Sequence, residues 1–115
     1  MRKDLLSVII PAYNEEDNIE NTANAVLDVL QGAEIPCELI FVSDGSKDKT
    51  YEKIWEQSQK HRNVRGLEFS RNFGKESAML AGFAAAKGDY VAVMDADLQD
   101  PPALLPDMLR AVREE

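Results

Sequence analysis

Asp95 and Asp97 stand one small residue apart at the end of an apolar run, in "VMDADLQDPP". In an extended chain residues i and i+2 point to the same side, so the two carboxylates can share one hard cation. Mg²⁺ takes one or two protein carboxylates and completes its shell with water and phosphate oxygens, and Mn²⁺ accepts the same donors. Such a pair suits an ion that bridges to a diphosphate. The competing reading of the same residues is a solvated acidic turn. Asp100 directly precedes Pro101, an order that predicts a helix N-cap with proline at the first helical position.

Other segments carry polar groups of the same kind. Asp44 lies in "SDGS", where it can accept hydrogen bonds from its own turn or, at a strand end, from a nucleotide's base or ribose. Tyr13 offers a ring that can stack on a flat ligand. Glu15, Glu16 and Asp17 open a helical pattern, where the dipole alone accounts for acidic groups. Arg71 and Lys75 flank Asn72-Phe73-Gly74 before another helical pattern. Cations near a helix N-terminus oppose the dipole, and a phosphate or a neighbouring Asp would supply the reason for them. His61 reads as a solvated helix end.

Absences narrow the chemistry. The sequence has no G-x-G-x-x-G after the first strand and no G-x-x-x-x-G-K-[ST], so neither a dinucleotide fingerprint nor a P-loop is present. One Cys and one His cannot make a structural zinc site, and no Ser–His–acid constellation is plausible.

The elements that must hold these groups alternate. Short apolar runs at Leu5 to Ile10, Glu38 to Val42, Val64 to Phe69 and Tyr90 to Met94 predict strands. Ile19, Ala23, Val26, Leu27 and Leu30 predict a first helix, capped by Asn14 with Asp17 three residues on and Gly32 beyond its end. Tyr51, Ile54, Trp55 and Ser58 mark a second, with Lys60, His61 and Arg62 in its last turn. A third, about Lys75 to Lys87, carries Ala78, Ala81, Gly82, Ala84, Ala85 and Ala86, so it can approach a sheet closely before Gly88 ends it. The last places Leu105, Met108, Leu109 and Val112 on one face, with Pro106 in its first turn. Strand and helix alternating four times predict an α/β fold, an open, mainly parallel sheet with helices on both faces. In such sheets ligands bind beyond the carboxyl ends of the strands, where "PAYNEE", "SDGSKDK", "SRNFGKE" and "DADLQDPP" fall.

Residues 1–115 match the size of one domain, and a formal net charge of -8 opposes a nucleic-acid or anionic-membrane partner. Cys37 is alone and sits in an apolar run, which predicts a buried thiol in a reducing, cytoplasmic setting. No stretch of 18 apolar residues is present.

The segments "SVIIPAYNEEDNI", "FVSDGSKDKT" and "SRNFGKESAMLAGFAAAKGDYVAVMDADLQDPP" resemble the N-terminal part of family 2 glycosyltransferases, in the branch similar to dolichyl-phosphate mannose synthase and polyprenyl-phosphate glucosyltransferases. The resemblance implies a GT-A fold, a Rossmann-like nucleotide-sugar-binding half, in which Asp95 and Asp97 as the D-x-D motif hold Mg²⁺ or Mn²⁺ on the donor's diphosphate. It also implies that Pro11, Tyr13 and Glu15 line the nucleoside pocket, that Asp44 reads the base, and that Gln99 lies near metal and diphosphate, with Arg71 a weaker carry-over. The implied reaction is inverting transfer of a hexose from a UDP- or GDP-sugar to undecaprenyl or dolichyl phosphate, in lipid or cell-wall glycosylation at the cytoplasmic face of a membrane. Ser43 departs from the pattern, since many relatives carry a second Asp there. The family continues beyond the equivalent of Glu115 with an acceptor-binding half and membrane helices, so the chain is expected to be a donor-binding part that binds nucleotide without turnover, and no catalytic base is assigned. Two other readings are a non-catalytic nucleotide-sugar-binding module and a phosphorylation-dependent receiver domain. The receiver would need an acceptor Asp after the third strand, where Ser70 stands, and a Lys after a fifth.

Overall fold

The computed structural model describes residues 4–113. Each apolar run forms a strand and each helical pattern a helix: β1 (Leu6–Ala12), α1 (Ile19–Gly32), β2 (Cys37–Ser43), α2 (Thr50–Lys60), β3 (Val64–Glu68), α3 (Lys75–Ala85), β4 (Tyr90–Val93) and α4 (Leu104–Arg113). The strands form one sheet in the order β3-β2-β1-β4, every pairing parallel. β1 and β2 are buried along their whole length. This is why they read as near-continuous apolar runs rather than alternating ones.

Topology decides which helix covers which face. The connections from β1 to β2 and from β2 to β3 step the same way across the sheet, so right-handed crossovers put α1 and α2 on one face. The connection from β3 to β4 steps back past two strands, and the same handedness sends α3 to the other face. Packing agrees. Val8, Ile10, Leu39 and Phe41 pack with Ile19, Val26 and Leu30 of α1, Ile54 of α2, and Leu105 and Leu109 of α4. Ile40 and Val42 pack with Ala78 of α3 on the opposite side. Full burial of each large side chain contributes roughly 1.5–3 kcal/mol. The small residues of α3 permit the expected close approach, since a Cβ on Gly82 would lie 2.4 Å from Cγ2 of Ile9.

Several local expectations are corrected. Asn14 does not cap α1, which begins at Ile19; it adopts φ 53° and its Oδ1 accepts a hydrogen bond from the Lys47 N–H at 2.8 Å. Asp100 does not cap α4, because Pro102 keeps Pro101 out of helical geometry and the helix starts at Leu104 after a turn in which the Leu104 N–H donates to the Pro101 carbonyl. Trp55 is exposed, while Thr50, Ile54 and Gln57 form the buried face of α2; α2 is rotated so that Ile54 occupies the space a side chain at Gly66 would need. Met108 and Val112 are exposed, leaving Leu105 and Leu109 as the buried stripe of α4. α3 also ends at Ala85, two residues before Lys87.

Gln57 is 1% exposed, and its Oε1 has no hydrogen-bond partner among the described residues. A buried acceptor without a donor costs about 1–3 kcal/mol. Gln57→Met is therefore expected to raise the urea midpoint, by the equivalent of about 1 kcal/mol at unchanged m-value.

Candidate nucleotide-binding site

The strand order reverses between β1 and β4, and at such a switch point a crevice opens beyond the strand ends. Here it is a cleft of about 340 Å³. Pro11, Tyr13 and Glu15 reach it from β1 and the segment after it, Asp44 from just past β2, Lys75 from the first turn of α3, and Asp95, Asp97 and Gln99 from the segment after β4.

The acidic pair is positioned by what lies between. Ala96 is buried, and its carbonyl accepts a 2.5 Å hydrogen bond from the hydroxyl of Thr22, a fully buried residue of α1. Met94 is also buried, with its N–H donating to the Ile9 carbonyl at 3.0 Å. With Met94 and Ala96 packed inward, both flanking carboxylates line the cleft, as the i, i+2 spacing predicts. The chain then turns through Leu98 at φ 58°, and the Gln99 N–H donates to Asp97 Oδ1 at 3.3 Å.

The segment after β1 is tied to the segment after β2 by backbone N–H donors. Asn14 donates to Ser46 Oγ, Glu15 to Thr50 Oγ1 and Glu16 to Asp48 Oδ2, while the Glu15 carboxylate accepts from Asn18 Nδ2 at 2.6 Å. Burial alone would raise the Asp48 pKa, but hydrogen bonds from Thr50 and the Glu16 N–H outweigh it and hold this carboxyl below the usual range. "SKDKT" therefore serves as the scaffold on which Tyr13 and Glu15 are presented. Tyr13 keeps 41% of its surface exposed, which leaves its ring open to a ligand.

Asp44 is buried and heavily engaged. Its carboxylate accepts from the N–H groups of Phe73 (2.8 Å) and Gly74 (3.1 Å) and from Asn72 Nδ2 (3.3 Å). A carboxylate offers about four acceptor sites, so this one fixes the approach to α3 and retains little capacity for another donor. Ser43 is fully buried, and its hydroxyl donates to Ser46 Oγ at 3.0 Å.

Of the site residues named from the sequence, Arg71 is the one that does not line the cleft. Its guanidinium stacks on the Phe73 ring at 4.8 Å, and Phe73 packs edge-on against Phe69. Among the described residues the cation in the cleft is Lys75, whose Nζ lies 2.7 Å from Asp95 Oδ1. Its signal in the sequence was a positive charge at a helix start, against the dipole. What the sequence left open was whether its partner is a phosphate or an Asp.

The donor set fits a divalent ion that brings ligands of its own. No group of three or more His, Cys, Asp or Glu side chains poised for a metal occurs among the described residues; Asp95 and Asp97 offer two carboxylates at an open cleft, and one already holds a cation in the form of Lys75. That is the composition expected of Mg²⁺ or Mn²⁺ shared with a diphosphate.

Residues 7–115 match the family model described as glycosyl transferase family 2. The chain belongs to that family. It is 47% identical over 109 residues to an uncharacterized glycosyltransferase of Synechocystis, covering 95% of this chain and 34% of that protein. It is 41% identical over 108 residues to the dolichol-phosphate mannosyltransferase of Pyrococcus furiosus (94% and 30%). It is 38% identical over 105 residues to an undecaprenyl-phosphate 4-deoxy-4-formamido-L-arabinose transferase of Pectobacterium carotovorum (90% and 32%). Among solved structures, the Mycobacterium tuberculosis glucosyl-3-phosphoglycerate synthase, crystallised with Mn²⁺, UDP and phosphoglyceric acid, superposes with TM-score 0.75 at 26% identity, covering 95% of this chain and 39% of that one. A Pyrobaculum calidifontis mannosyltransferase in complex with GDP-Man and Mn²⁺ shares the fold, with TM-score 0.72 at 23% identity, covering 87% and 34%.

This family 2 chain spans about a third of the length of the curated relatives it matches. Its parallel sheet and helices are those of GT-A glycosyltransferases, and the receiver-domain reading is set aside by the family match. No helix among the described residues is long and apolar enough to cross a membrane.

Proposed function

We propose that this chain is the donor-binding part of a metal-dependent, inverting glycosyltransferase that moves a hexose from a UDP- or GDP-sugar to a polyprenyl phosphate. The observation that carries the reading is the convergence, at the switch point of the sheet, of an acidic pair with an exposed tyrosine ring. In this reading Asp95 and Asp97 hold Mg²⁺ or Mn²⁺ on the donor's diphosphate, with Gln99 beside them. Tyr13 stacks on the base, Pro11 and Glu15 line the nucleoside, and Asp44 reaches the base with the acceptor capacity its loop leaves free. Arg71 joins the donor only by leaving the Phe73 ring. The names of two relatives support a polyprenyl phosphate acceptor, and a neighbour's Mn²⁺ and UDP support the donor side.

When bound, the ion stabilises the charge that develops on the departing nucleoside diphosphate. The chain's own residues supply position. Asp95 and Asp97 fix where the diphosphate lies, and Tyr13 and the ordered segment after β1 fix the nucleoside, so the anomeric carbon is presented at the open side of the cleft. An acceptor phosphate is already an anion and needs little from a general base. A lipid-linked acceptor places the reaction at a membrane surface, on the cytoplasmic side in this reading.

Melting curves with UDP and GDP, with and without Mn²⁺, test the assignment. Ligand at a hundred times its Kd stabilises a protein by about 2.7 kcal/mol, so a clear upward shift of Tm that requires Mn²⁺ is expected with one nucleotide. Asp97→Asn is expected to keep the unliganded Tm and lose the metal-dependent part of the shift. A shift that ignores Mn²⁺, or no shift, counts against the donor site.

A further inference from the structure

The Lys75–Asp95 pair bears on the order in which a donor and its metal bind. Lys75 is the first residue of α3, where the helix dipole disfavours a cation, yet its Nζ contacts Asp95 Oδ1 at 2.7 Å. Both groups line the cleft with Asp97 and Gln99, so the ammonium sits on an oxygen that the proposed ion would use. Lysine is a compact point charge on a flexible stem with rotatable donors, and this one has 60% of its side chain exposed. It can leave without disturbing the core.

We propose that Lys75 is a tethered counterion that competes with the divalent ion for Asp95, so that metal alone binds poorly and binds well only when a diphosphate comes with it. The proposal rests on the donor-site reading given above. Metal alone must displace the ammonium and then share the cleft with it, a like charge at close range. A diphosphate offers the displaced ammonium a new partner and removes that penalty. The apparent metal affinity is thus coupled to the presence of the nucleotide, and Lys75 sets the size of the coupling.

Mn²⁺ alone, titrated while free Mn²⁺ is followed by electron paramagnetic resonance, separates these effects from turnover. Lys75→Met is expected to bind Mn²⁺ alone about five-fold more tightly than the unsubstituted protein, the scale set by losing one exposed ion pair and a nearby like charge. Lys75→Arg keeps the cation and is expected to bind as the unsubstituted protein does. Lys87→Met removes the same charge beyond the far end of α3 and serves as the control, with no change expected. Repeating the titration with GDP or UDP present is expected to enhance Mn²⁺ affinity in all these proteins, and least in Lys75→Met. Equal Mn²⁺ affinity in Lys75→Met and the unsubstituted protein, or equal tightening in Lys87→Met, overturns the counterion role. Absence of any nucleotide-dependent Mn²⁺ binding in the unsubstituted protein overturns the donor site itself, which is a different failure.

Discussion

Gly45→Ala is expected to destabilise the protein by about 3–5 kcal/mol, a large share of the roughly 5–15 kcal/mol typical of a domain. Gly45 has φ 65°, and a Cβ there would lie 2.1 Å from the Arg71 carbonyl carbon, 2.3 Å from the Asn72 nitrogen and 2.5 Å from the Arg71 oxygen. These are backbone atoms, so no rotamer change relieves the clash. The left-handed conformation alone costs a non-glycine residue about 1–2 kcal/mol. Displacing the 71–74 segment also breaks the bonds from the Phe73 and Gly74 N–H groups to Asp44, at about 1 kcal/mol each or more if the donors stay buried. Gly74→Ala is the comparison, because Gly74 has φ 101° but a Cβ added to it would meet nothing within 4 Å; its cost is expected to be the backbone strain only. Urea unfolding of the two variants measures the difference. Equal costs would mean that the contact between the segments after β2 and β3 contributes nothing.

The second large effect is at the other end of the sheet. Glu38 of β2 is buried on the α3 face, and its carboxylate accepts from Ser7 Oγ (2.6 Å), the Lys87 N–H (2.6 Å) and Arg65 (2.8 Å). Arg65 donates as well to the Ala85 carbonyl, and the Gly88 N–H to Ser7 Oγ. One carboxylate thereby gathers the partners of the C-terminal end of α3. Burial pushes its pKa up, but the hydrogen bonds from Ser7, the Lys87 N–H and Arg65, with the charge of Arg65, prevail and hold it below the ordinary value. A folded-state pKa below the unfolded one stabilises at pH above the unfolded value, about 4.3 for Glu, and that contribution disappears as pH falls through the folded value. Glu38→Gln is expected to cost about 2–3 kcal/mol at pH 7, because it weakens charge-assisted bonds and leaves the Arg65 guanidinium with a neutral amide in place of its carboxylate. The gap between the two proteins should narrow as pH drops below about 4. Denaturant titrations at pH 7, 5 and 3.5 check this, and a gap independent of pH would show that the charge of Glu38 is immaterial.

Particular residues show how far the sequence could be read. β1 and β2 were legible because strands covered on both faces need apolar side chains at nearly every position, and the helical period of α1 survives because one stripe meets the sheet. Asn14 and Asp100 misled because a cap is a local preference worth about 1 kcal/mol, whereas Asn14 is held by the segment after β2 and Asp100 is followed by two prolines that delay the helix. Trp55, Met108 and Val112 misled for another reason. A periodic stripe shows that a helix is amphipathic but not how far it rolls on its neighbours, and Gly66 set the roll of α2. Lys75 was conspicuous as a cation at a helix start, yet its partner lies 20 residues away in sequence.

The sequence by itself determined the alternation of strands and helices, the parallel sheet, and the side of the sheet where the polar segments gather, because each follows from side-chain period and from the handedness of short connections. Only the tertiary structure decided which of those polar groups meet. It put Lys75 rather than Arg71 in the cleft, occupied Asp44 with backbone donors from beyond β3, and buried Glu38 beneath the end of α3. Such pairings join residues distant along the chain, and no local pattern encodes the distance between them.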